Sequence, residues 1–157
     1  MLLPLALCLS LIIYGNVTNR KKQRVFKETK IALNEPFADF LISEVKVKKG
    51  AKDEFDYFYI SAELLSKTPQ NQSALQNHFY VLPDYQGYTQ MIDFSEEPLE
   101  SNDWQYSYKL EFELLKDKYL DKYLFEHVPV YLMYFNQDKK SVFDYRLNIT
   151  EKIKERY

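Results

Sequence analysis

Hydrophobic and polar residues alternate most strictly between Trp104 and Leu114 (WQYSYKLEFEL). There Tyr106, Tyr108, Leu110, Phe112 and Leu114 fall on one parity, and Ser107, Lys109, Glu111 and Glu113 on the other. Period two predicts a half-buried β-strand with one face in a core and one in water. On a helix the same five residues would scatter around the whole circumference. Looser versions of the pattern precede it. Val25, Thr29, Ile31 and Leu33 predict an edge strand that Asn34-Glu35-Pro36 ends. From Phe40 to Lys48, Leu41, Val45 and Val47 oppose Glu44, Lys46 and Lys48, with a turn over Lys49-Gly50-Ala51-Lys52-Asp53. From Phe55 to Leu64, Phe58, Ile60, Ala62 and Leu64 alternate with Tyr57, Tyr59 and Ser61. Aromatics on both of its faces predict a central strand covered on both sides.

The hairpin signal is clearest at Pro83-Asp84-Tyr85-Gln86-Gly87, where Pro presets φ and Gly accepts a positive φ. It joins a strand over His78–Leu82 to one over Tyr88–Phe94, with Tyr88, Ile92 and Phe94 in phase. A second hairpin joins Pro129–Phe135 to Ser141–Ile149 through residues 136–140, with Phe143, Tyr145, Leu147 and Ile149 in register. Between the hairpins the period changes: Leu115, Tyr119, Leu120, Tyr123 and Leu124 follow helical spacing and predict a short amphipathic helix. Ser66 to Gln76 is a polar loop with a helical turn at Ser73–Gln76, and Ser95 to Asp103 (SEEPLESND) is an acidic loop. These elements predict an all-β fold, a β-sandwich of about seven to eight strands with one short helix. A closed barrel of lipocalin type is the rival architecture.

Leu2 to Tyr14 (LLPLALCLSLIIY) is nearly all apolar and reads as a hydrophobic helix preceding the sandwich. It is shorter than the ~20 residues that span a bilayer. RKKQR follows it and no basic residue precedes it, the reverse of a secretory leader. One reading is a clipped signal or anchor. The other is a short anchor that leaves the body in the cytoplasm, as the positive-inside rule would have it. The shortness of the run favours the first. The expected organisation is then a signal or anchor segment over residues 1–15, a polar basic tether over 16–24, the sandwich over 25–150 and a charged, fraying tail over 151–157.

Composition narrows the function classes. The 157 residues carry a net charge of −2, with basic and acidic groups mixed, which excludes an electrostatic case for nucleic acid. The single cysteine, Cys8, lies in the apolar N-terminus, so the folded body has neither disulfide nor thiol chemistry. His78 and His127 lack partners at metal-ligand spacing, and the acidic run Asp93, Glu96, Glu97, Glu100, Asp103 lacks the calcium-loop rhythm. Nucleophile-elbow, dinucleotide, P-loop and zincin motifs are absent, so no catalytic residue, metal or cofactor is expected. The sequons at Asn16, Asn71 and Asn148 are read as chance matches.

The functional potential lies in the aromatics, 14 Tyr, 11 Phe and one Trp. Most fall at strand spacing and belong to the core. Tyr85, Tyr88 and Trp104 lie on or beside loops and are the candidate binding platform for a protein or glycan partner. The order of DYFYISAEL, FYVLPDYQGYTQ, YSYKLEFEL and VPVYLMYF resembles the immunoglobulin-like, telokin-type domains of bacterial cell-envelope lipoproteins, with Asp84 to Gly87 at the hairpin and Leu110 to Leu114 in the next strand. The resemblance spans residues 31–149. The chain departs from it in the weak lipobox Leu5-Ala6-Leu7-Cys8 and in the helix inserted after Leu114. It implies a non-catalytic binding or accessory module and carries no site residues. The expectation is therefore an interaction module tethered through residues 1–15 at the cell membrane or envelope, on the extracytoplasmic side. The alternative is a small-ligand carrier with an aromatic-lined barrel cavity.

Overall fold

The strict alternation of Tyr106–Leu114 becomes the spine of a sheet in the computed structural model, which describes residues 25–83, 89–99, 103–116, 129–137 and 141–156. The strands are β1 (Val25–Ile31), β2 (Phe40–Lys52), β3 (Phe55–Ser66), β4 (Phe79–Pro83), β5 (Thr89–Glu97), β6 (Tyr106–Lys116), β7 (Val130–Gln137) and β8 (Ser141–Asn148). Two short helices among the described residues are α1 (Gln72–Gln76) and α2 (Thr150–Lys154). The hydrogen-bonded order is β1-β8-β7-β4-β5-β6-β3-β2. It forms two four-stranded sheets, β2-β3-β6-β5 and β4-β7-β8-β1, with β1 parallel to β8 and the other pairs antiparallel. Among the described residues the sheets join where β4 meets the start of β5, at Tyr80–Gln90 and Val81–Thr89. β1 and β2 end the order without pairing, so the strands make a sandwich-like stack and not a closed barrel.

Two bulges reset the alternation. Between Ile42 and Glu44 the register with β3 shifts, so Phe40 and Ile42 share the core side with Val45 and Val47. Leu41, expected on that side, instead pairs with Leu65 on the opposite face. Between Met91 and Asp93 a second shift leaves Met91 buried at 2% and Ile92 exposed at 48%, which corrects the expected inward Ile92. An extra residue in one strand flips the phase of all that follow, and the bare sequence carries no mark of it. β5 also continues to Glu97, so Ser95, Glu96 and Glu97 are strand residues and not loop.

The core lies between the sheets. Phe58, Phe79, Leu64, Leu110, Phe112 and Leu114 have no exposed surface, and burial of each such side chain contributes about 1.5–3 kcal/mol. One end of the core is aromatic. Phe37 and Phe40 exchange backbone hydrogen bonds of 2.9 Å around a tight turn with Ala38 at φ 47°, which points both rings inward. There they meet Tyr134 at centroid distances of 5.7 and 5.2 Å, and Phe40 meets Phe79 at 5.6 Å.

Helical turns pin the loops. Asn71 caps α1 by accepting from the Ala74 N–H at 2.9 Å, and Leu75 inserts into the core. The expected fraying tail is instead α2. The Thr150 hydroxyl accepts from the Val130 N–H at 2.9 Å, and Ile153 is fully buried in the core where α2 packs on β2. One apolar residue among charges was enough to dock this segment. The expected helix over Leu115–Leu124 begins within β6, which runs to Lys116; its remainder, like the N-terminal hydrophobic segment, lies outside the described residues.

Candidate functional site

The outward face of β2-β3-β6-β5 is open and laid out by strand register. Across the strands, Glu44 faces Glu63, which faces Lys109; Lys46 faces Ser61, which faces Glu111; Lys48 faces Tyr59, which faces Glu113. Like charges directly opposite, as at Glu44 and Glu63, repel. The neighbours answer this: Lys46 pairs with Glu44 at 3.0 Å, and Lys109 lies across from Glu63. Lys109 also binds Glu111 at 2.6 Å. Its proton affinity is raised first by the hydrogen bond to Glu111, then by the charge of that carboxylate, with Glu97 and Asp93 adding to it. The result is a solvent-open groove of about 810 Å³, in which Lys46, Lys48 and Lys109 stand against Glu44, Glu63 and Glu97.

An aromatic strip continues the groove along β3. Alternation places Phe55, Tyr57 and Tyr59 on the same face as Ser61 and Glu63. Phe55 is 54% exposed beside the two-residue turn Asp53-Glu54, where Asp53 takes φ 57°. Tyr57 and Tyr59 are half-buried with ring centroids 6.2 Å apart. The expectation that β3 is covered on both sides therefore fails on this face. Gly50, expected in a turn, is a β2 residue opposite Tyr57. A Cβ there would lie 2.1 Å from Cε2 of Tyr59, so glycine lets the ring lie across the β2 backbone.

Of the candidate platform Tyr85, Tyr88 and Trp104, one residue, Trp104, lies among those described. Tyr85 and Tyr88 lie outside the described residues. Trp104 is half-buried just before β6, with the Lys67 ammonium 5.4 Å from its ring centroid. It stands at the end of β6 away from the strip, because Tyr106 pairs with Ser66 and Lys116 with Asp56. Phe55, Tyr57 and Tyr59 are not among the candidates read from the sequence, although their period-two spacing and Gly50 were visible signals.

Other candidates resolve into structural roles. His78 Nδ1 lies 2.8 Å from the Phe135 carbonyl, which binds it to β7, and His127 lies outside the described residues. Asn148 Oδ1 accepts from the Thr150 N–H at 2.9 Å. Among the described residues no cluster of His, Cys, Asp and Glu suits a metal ion, and no helix is long and apolar enough to cross a membrane. Comparison with protein-family models, with curated proteins and with solved structures finds no match.

Proposed function

We propose that the chain is a non-catalytic interaction module of the cell envelope, tethered to the membrane through residues 1–15 with its domain on the extracytoplasmic side. We read the domain as immunoglobulin-like. The order β2-β3-β6-β5 opposite β4-β7-β8 matches the ABED and CFG sheets of that fold, with β1 added parallel to β8. The observation that carries the functional reading is the open face of β2-β3-β6-β5, where a strip of one exposed and two half-buried aromatics, Phe55, Tyr57 and Tyr59, runs into a polar groove. Among the described residues the two groups with raised proton affinity do not meet: Lys109 stands in the solvent-open groove and Tyr134 is in the core. The inward aromatics support a module over a carrier, since they pack on one another. Phe94 stacks on Tyr108 at 5.1 Å and Phe79 meets Tyr134 at 5.1 Å.

The test uses the full chain in intact cells. External protease is expected to degrade the domain; a protected domain would place it in the cytoplasm and overturn the envelope reading. A photo-crosslinking residue at position 57 is expected to give an adduct that the same residue at exposed Lys30 does not. Equal labelling at both positions, or none, would remove the face as a binding surface.

A further inference from the structure

Resting on that reading of the face, we propose that its ligand is an uncharged polysaccharide chain laid along β3. Four features of the face point to this chemistry. First, sugar rings present C–H faces that pack on aromatic rings, and hydroxyls that both donate and accept. Tyr57 and Tyr59, 6.2 Å apart, are separated by about the repeat of successive sugar rings, and Phe55 extends the strip. Second, the platform is preformed: the absence of a Cβ at Gly50 lets the Tyr59 ring lie down on the sheet. Holding a ring flat before binding lowers the ordering cost of the complex. Third, the strip opens into the groove at Ser61 and Glu63, so a chain on the aromatics continues among hydrogen-bonding groups. Fourth, the groove and its flank interleave three lysines, Lys46, Lys48 and Lys109, with five glutamates, Glu44, Glu63, Glu97, Glu111 and Glu113. That arrangement gives an anionic polymer or an anionic phospholipid surface no attractive field, whereas alternating donors and acceptors suit a polyol.

The experiment is affinity electrophoresis of the full chain in mild detergent, in native gels cast with hydroxyethylcellulose, barley β-glucan, soluble starch or glycol chitin, and with heparin as the anionic control. At least one neutral polysaccharide is expected to retard the chain, with little change on raising salt. Tyr57→Ala and Tyr59→Ala are each expected to weaken that retardation about tenfold, or ~1.4 kcal/mol. Gly50→Ala keeps every ring yet lifts Tyr59 off the sheet, and is expected to weaken it as well. Phe55→Ser, at an exposed tip, keeps the fold intact, and melting curves for all variants separate lost binding from lost structure. Retardation by heparin alone, by no polysaccharide, or undiminished in Tyr57→Ala and Gly50→Ala would overturn the proposal. An adduct at position 57 in cells, with no polysaccharide bound, would sink the ligand class and leave the binding face standing.

Discussion

β3 and β7 are written alike, and the protein uses them differently. Each carries core residues on one parity, Phe58, Ile60, Ala62 and Leu64 in β3 and Val130, Leu132 and Tyr134 in β7. Each also carries large side chains on the other parity, Phe55, Tyr57 and Tyr59 in one, Tyr131, Met133 and Phe135 in the other. On β7 that second face is closed at its centre: Met133 is 1% exposed between half-buried Tyr80 and Arg146, and Leu82 and Asp144, diagonal to it on the flanking strands, are 9% and 2% exposed. On β3 it is open, between Lys46 at 62% and Lys109 at 43% side-chain exposure. Alternation reports that a strand has two faces; it does not report what is stacked on each. Charge beside the strand does not set the difference: the Arg146–Asp144 pair next to β7 is withdrawn from water, at 19% and 2% side-chain exposure, whereas Lys46 and Lys109 next to β3 stand in it.

Truncation on the two second faces is expected to give the largest contrast. Met133→Ala is expected to cost about 2–5 kcal/mol, the range for a buried methionine that leaves a cavity. Lys46→Ala, on the open face, is expected to stay within about 0.5 kcal/mol of wild type. Urea unfolding of both variants measures the contrast, and equal losses would mean the two faces are equally covered.

A smaller effect is expected at Asp144, the buried carboxylate on the closed face. Its Oδ2 accepts from Arg146 Nε at 2.9 Å and pairs with Nη2 at 2.8 Å, while Oδ1 has no partner. Arg146 also stacks over the Tyr131 ring at 5.5 Å. Asp144→Ala strips a partly buried guanidinium of this partner, at an expected cost of about 1–3 kcal/mol by urea unfolding. Glu28, 3.8 Å from Nη1 and half-exposed, compensates only weakly.

These contrasts mark how far the sequence could be read. β6, β3, β7 and β8 were legible because long alternating runs fix both strand and face. The flips at Ser43 and Ile92 were not, since a bulge depends on the partner strand. α2 was illegible because Ile153 is buried by the packing of α2 on β2, a distant strand, and not by local propensity. Tyr85, Tyr88 and Trp104 are candidates because exposed aromatics usually sit on or beside loops. That Phe55, Tyr57 and Tyr59 also reach an open face is a tertiary fact, set by what flanks β3. Gly50 was the one local clue, and it resembles a turn glycine until Tyr59 is placed over it.

A weaker effect tests the aromatic end of the core. Burial raises the proton affinity of the Tyr134 hydroxyl above its ordinary value of 10.0, helped by Tyr145 and Asp39. The neutral phenol is therefore favoured in the folded chain. Its contribution is fully present below pH 10 and is lost as pH rises through the folded value, because the unfolded chain ionises first. The raised Lys109 works in the same direction above 10.5. Tyr134→Phe keeps the ring packing and removes the ionisation, so its melting temperature should fall less than wild type between pH 9 and pH 11. A parallel fall in both proteins would assign the alkaline sensitivity elsewhere.

The smallest expected change in stability is at Phe55, and it is the most informative about the open face. The side chain is 54% exposed at the tip of the β2–β3 hairpin, so little of its apolar area leaves water on folding. The turn beside it depends on Asp53 at φ 57°, a conformation that the Phe55 ring does not hold in place. Phe55→Ser should therefore unfold within about 0.5 kcal/mol of wild type. An exposed aromatic that contributes so little to the fold can be replaced without loss unless it binds something. The same variant should lower crosslinking at position 57 in cells while leaving the urea midpoint in place. If it shifts the midpoint by a kilocalorie or more, Phe55 is a packing residue. The strip on β3 would then belong with the closed face of β7.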